Sequence, residues 1–165
     1  MYNANPMVET FPTCTYFITF TCYRTWLHGD SRGSVDKNHN LPDTPFLPNA
    51  PARTQYARNQ MKQEAVFLSD EHRQVVEQAI CGVCEHKQWT LLAVNVRSNH
   101  VHTVVTADAT PESVMNYFKR YASRQLHEQQ LFSKETTIWT RHGSTRYLND
   151  QRSIDAAVRY VIDGQ

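Results

Sequence analysis

Three side chains in this sequence have types and spacing that could do chemistry together: His100, His102 and Tyr160. His100 and His102 sit in SNHVHTVVT, inside a run that reads as a strand. On a strand, residues two apart face the same way, about 6.6 Å apart. Two imidazoles so placed can reach one metal ion at about 2.0–2.2 Å each. The same pattern also suits two half-buried neutral histidines in a sheet, and the pair alone leaves both readings open. Tyr160 lies in RYVIDGQ, off the Ile154/Val158/Val161 stripe of a helical pattern. It reads either as a rim aromatic with a wet hydroxyl or as a nucleophile. Asp163 follows three residues later on the same helical face, and Gln165 lies further round. Two imidazoles, a side-chain oxygen and a phenol suit phosphate chemistry. The cation polarises the phosphate, and the tyrosine attacks it to form a covalent ester.

The elements that must position these groups follow from periodicity. Thr13 to Tyr23 alternates β-branched and aromatic residues and reads as the first strand. An irregular excursion over about 28–66 follows, with Pro42, Pro45, Pro48 and Pro51. Ser69 or Asp70 opens a helix to about Lys87, striped by Val75, Val76, Ala79, Ile80 and Val83. Trp89 to Val96 and His100 to Ala107 read as a strand pair, turned at Arg97 to Asn99. Thr110 caps the next helix with Pro111 at its first position, where a missing N–H costs nothing. Short strand candidates at Thr137 to Arg141 and Ser144 to Leu148 precede a last helix opened by Asp150 or Ser153. The order β-α-β-β-α-β-α predicts an α+β, ferredoxin-like sandwich: an antiparallel sheet with helices on one face, plus a C-terminal helix bearing the tyrosine. All 165 residues read as one domain.

Bulk properties narrow the setting. Net charge is +1, so any basic surface must be local rather than global. No apolar run approaches the roughly 18 residues of a membrane span, and no signal peptide opens the chain. Cys81 and Cys84 form CGVC within a helical pattern, without a second CxxC. They read as buried thiols, with half a zinc site or a redox pair as the alternatives.

With SNHVH, IWTRHGSTRYL, AVRYVIDGQ and the opening FITFTCYRTWLHGD in matching order, nearly the whole chain resembles the single-tyrosine HUH (His-hydrophobic-His) transposases, including their REP-associated branch. The resemblance implies cutting and rejoining of single-stranded DNA at hairpin-marked ends through a 5′-phosphotyrosine. It implies His100 and His102 as ligands of Mg²⁺ or Mn²⁺ and Tyr160 as nucleophile. It also implies a homodimer in which Tyr160 can serve the partner's histidines, acting on DNA in the bacterial cytoplasm. The family often has a glutamine four residues after the tyrosine as third ligand. Gly164 occupies that position here, so Gln165 is the first candidate for the third ligand and Asp163 the second.

Candidate DNA contacts are Lys119, Arg120 and Arg124 on the second helix, and Arg141 and Arg146 ahead of the last one. Each could equally be a solvated charge. Beside Tyr117, Trp139 and Tyr147 they could clamp a backbone and stack splayed bases. Tyr121 is a rival nucleophile, but it shares a stripe with Val114 and Phe118 and so reads as core or as a stacking residue. Two other functions stand against the transesterase. One is a decayed or repurposed module that grips a DNA hairpin without cutting. The other is a small metal-binding domain acting on a small molecule, which would leave Tyr160 far from the histidines.

Overall fold

The computed structural model describes residues 11–25 and 63–163. Most of the excursion, with His28 and His39, lies outside the described residues, as does Gln165.

Four strands form one antiparallel sheet: β1 (Cys14–Cys22), β2 (Thr90–Val96), β3 (His100–Ala107) and β4 (Trp139–Leu148), in the order β2-β3-β1-β4. Alternation along β1 builds two different faces. Tyr16, Ile18, Phe20 and Cys22 are buried with Val101, Val105 and Ala107 of β3. This face packs under helices α1 (Asp70–Lys87) and α2 (Pro111–Glu128). The opposite face carries Phe17, Ala93, Val104 and Leu148, which meet Ile154, Ala157, Val158 and Val161 of helix α3 (Gln151–Asp163). Among the described residues, the sheet is therefore the middle of three layers, with the C-terminal helix on the side opposite α1 and α2.

Local chemistry sets the helix starts. The Ser69 hydroxyl accepts the His72 N–H, and His72 Nδ1 accepts the Ser69 N–H, a capping box with histidine in the usual acid's place. Thr110 accepts the Ser113 N–H ahead of Pro111. Asp150 accepts the N–H and the hydroxyl of Ser153, which fixes the first turn of α3 only two residues after β4.

The two short strand candidates near residue 140 are one strand interrupted by a bulge. Phe20 pairs with Gly143 and Cys22 with Trp139, so Thr140, Arg141 and His142 stand opposite Thr21 alone. The bulge frees backbone carbonyls. Lys119 takes them up, its ammonium donating to the oxygens of Thr140 (2.8 Å) and His142 (3.1 Å). Just beyond, β4 presses against both neighbours at Gly143. A Cβ there would lie 2.5 Å from Met115 Sδ and 2.5 Å from the Thr19 carbonyl oxygen, so only glycine fits. All four cysteines are free thiols, and burial pushes Cys22 and Cys84 up to about 12.

Candidate active site

Strand register lines up the site. Asn95 of β2 pairs with His102 of β3, His102 with Thr19 of β1, and Thr19 with Ser144 of β4. Two residue pairs along, His100 faces Thr21. Because alternation puts Val101 and Thr103 into the α1/α2 core, His100 and His102 face the α3 side. Their ring centroids are 4.7 Å apart.

Tyr160 of α3 comes to this pair within the same chain. Its ring meets His102 edge to face at 5.6 Å and Phe17 at 5.9 Å. Phe17 also stacks on His102, with centroids 5.5 Å apart and planes at 22°. The Arg146 guanidinium lies 5.9 Å from the centre of the Phe17 ring. Tyr160 keeps 47% of its surface exposed, so its phenol is packed at the ring and open to a substrate.

Each imidazole is oriented from behind. His100 Nδ1 lies 2.7 Å from Asn99 Oδ1, an atom that only accepts, so neutral His100 carries its proton on Nδ1 and its lone pair on Nε2. His102 Nδ1 lies 2.7 Å from Thr19 Oγ1. If the Nδ1–H donates to that hydroxyl, Nε2 again carries the lone pair. His102 is 8% exposed. Burial first, then the neighbouring His100 and Arg97, pushes its pKa down to about 4, so the ring is neutral at ordinary pH. A neutral imidazole whose far nitrogen is tied by a hydrogen bond has the form of a metal ligand. The residues present therefore fit a divalent cation through two nitrogens. Among the described residues, no third His, Cys, Asp or Glu joins them. Asp163 stands exposed on the last turn of α3 and is not brought to the pair.

The candidate DNA contacts separate. Arg146 lies on the histidine face, and Arg141 is exposed in the β4 bulge. Arg120 and Arg124 belong to α2, on the layer across the sheet. There Arg120 covers the rings of Tyr117 and Tyr121 at 5.0 and 5.5 Å. Arg124 pairs with Glu128 at 2.8 Å. Lys119 departs from the expectation of a solvated or DNA-facing charge. It is 8% exposed, and its ammonium is turned inward to the bulge carbonyls. Tyr121 shares the α2 layer and is screened from the histidines by the sheet.

Phe17, Thr19, Asn95 and Asn99 were missed as site residues by reading the sequence. Their signals are faint but physical. Phe17 and Thr19 are the outward positions of a strand whose alternate residues are core. Asn95 is a strand-poor residue type in the middle of a strand.

The sequence profile of the family Transposase IS200-like matches residues 59–163. Among solved structures, the chain is similar to a REP-associated tyrosine transposase bound to a REP hairpin, at 14% identity and a TM-score of 0.49, over 98% of this chain and 70% of that one. It is also similar to a Deinococcus radiodurans R1 protein with a provisional transposase designation, at 13% identity and a TM-score of 0.47, over 100% of this chain and 98% of that one. No curated protein matches it. The family profile spans well over half the chain, and the chain belongs to the IS200-like transposase family.

Proposed function

We propose that this transposase is a metal-dependent single-strand DNA transesterase of the single-tyrosine HUH type, acting at hairpin-marked DNA ends. The observation that carries this reading is the approach of Tyr160 to His102 in one chain, ring centres 5.6 Å apart. A metal-binding domain acting on a small molecule has no need of a half-exposed phenol at its histidines.

His100 and His102 would hold Mg²⁺ or Mn²⁺ through Nε2, with Gln165 as the proposed third ligand. When bound, the cation withdraws negative charge from the non-bridging phosphate oxygens and lowers the repulsion of an incoming nucleophile. The rest falls to this chain's own groups. Phe17 and His102 hold the Tyr160 ring. The Tyr160 oxygen bonds to phosphorus as the bond to the 3′ oxygen breaks. The phenolic proton leaves, the departing oxygen takes one up, and the products are a 5′-phosphotyrosine and a free 3′-OH. Resealing is the reverse attack by a 3′-OH. The ester is conserved, so no nucleotide triphosphate is needed. Arg146, on the same face, would pair with backbone phosphates, and Arg141 with the strand beyond the β4 edge. Each chain carries the histidines and the tyrosine in cis, so a homodimer would hold two such centres.

A second reading, a module that grips a hairpin without cutting, draws on the lack of a third acidic or imidazole ligand among the described residues. Covalent capture separates the two. The protein is mixed with Mn²⁺ or Mg²⁺ and a labelled pool of single-stranded hairpin DNAs, then run on a denaturing gel. The expected result is a metal-dependent shifted band. DNA retention on a native gel with no such band would favour the second reading.

A further inference from the structure

The phenol of Tyr160 is held by ring contacts with Phe17 and His102, and such pairs are individually weak. It sits in the last turn of α3, where helix carbonyls have no intrahelical partner. One of these, the Val161 carbonyl next to Tyr160, is taken up from the sheet. Asn95 Nδ2 donates to it at 2.8 Å.

Asn95 is an unusual choice for its place. It stands in mid-strand in β2, half-buried, where β-branched residues are favoured and an unpaired amide is costly. Its cross-strand partner is His102 itself. The amide therefore joins two things: the strand pair that carries the histidines, and the helical turn that carries the tyrosine. The other end of α3 is already fixed by the two-residue link from β4 and the Asp150 cap. With Val161 fully buried against Ala93 and Val104, the Asn95 bond fixes the rotation of the last turn.

We infer that Asn95 is a positioning residue that locks the nucleophile-bearing turn of α3 onto the histidine strand of its own chain. It acts through Tyr160, by its bond to the Val161 carbonyl. This role rests on the transesterase reading above. Its structural half, the locking of the turn, can be tested without activity.

The test compares the full chain with its Asn95→Ala, Asn95→Asp and Asn95→Gln variants in two measurements. The first is amide hydrogen exchange. Asn95→Ala is expected to lose protection in the segment 160–163 while 154–158 and the sheet stay protected. The second is the rate of covalent capture with Mn²⁺ and the labelled pool of single-stranded hairpin DNAs. Losing one hydrogen bond should slow adduct formation about five- to tenfold with the half-saturating DNA concentration unchanged. Asn95→Asp, which keeps the shape but sets a carboxylate against a carbonyl, should lose more. Asn95→Gln, which keeps the donor, should recover part of the rate. Unchanged exchange and unchanged rate in Asn95→Ala would overturn the proposal. So would uniform loss of protection across the whole chain in all three variants, which is general destabilisation rather than a local lock. If the unmodified protein forms no adduct, the transesterase reading fails, and the exchange comparison still decides whether Asn95 holds the turn.

Discussion

Tyr160 and His102 meet edge to face, ring centres 5.6 Å apart, within one chain. Only two residues join β4 to α3, and Asp150 caps the helix at once, so the tyrosine helix is bound closely to its own sheet. The centre is therefore expected to work in cis. Mixing Tyr160→Phe with His102→Ala should not restore covalent capture, because neither chain keeps both groups. Restored capture in the mixture would mean that the helix serves a partner's histidines. Tyr160→Phe alone keeps the ring contacts, so its stability should change by less than about 0.5 kcal/mol and DNA retention should persist.

Thr19 lies behind His102, its hydroxyl 2.7 Å from Nδ1. Thr19→Val keeps the shape and the strand preference but leaves the ring nitrogen without a partner. Loss of such an outer hydrogen bond is expected to cost about 10–100-fold in metal affinity or activity. A Mn²⁺ titration and the capture rate should fall together. A fall in stability alone, with Mn²⁺ affinity intact, would show that Thr19 does not orient a ligand.

Gly143 links the bulge to the site. The Cβ of Gly143→Ala would press on Met115 Sδ and on the backbone oxygen of Thr19, the residue that holds His102. Overpacking of this kind should destabilise by about 1–3 kcal/mol, read by denaturant unfolding. Capture should fall further than the change in folded fraction explains, since Thr19 must move.

Much of this was legible in the sequence, because periodicity reports which face is buried. The bounds of α1 and β3 follow from the Ser69 cap and from the alternation after His100. The His-x-His spacing alone placed both imidazoles on one face. What was hidden was whatever depends on contacts distant in sequence. His142 and Gly143 read as a gap between two strands because a bulge breaks the period of two without ending the strand. Lys119 read as a surface charge because its helix position gives no sign of carbonyls freed 21 residues later. Phe17 and Asn95 are ordinary residues until register sets one beside Tyr160 and the other beside His102.

Lys119 also makes stability depend on pH. Burial lowers its pKa from 10.5 to about 8. Between these values the unfolded chain holds a proton that the folded one has shed, so this group's contribution to stability rises with pH through that window. Relative to Lys119→Met, which cannot titrate, the unmodified protein should gain on the order of 3 kcal/mol from pH 8 to 10.5. Parallel stability curves for the two proteins over that range would show that the carbonyl cradle holds the charged form without penalty.

The most direct measurement is to find the atom that carries the DNA. The captured adduct would be digested with trypsin, which cuts after Arg159, and the nucleotide-bearing peptide identified by mass spectrometry. The expected result is a nucleotide phosphate on Tyr160, in the peptide that begins with it, formed only when Mn²⁺ or Mg²⁺ is present. A nucleotide on Tyr121, or an adduct of unchanged yield in Tyr160→Phe, would contradict the assignment of Tyr160 as the nucleophile.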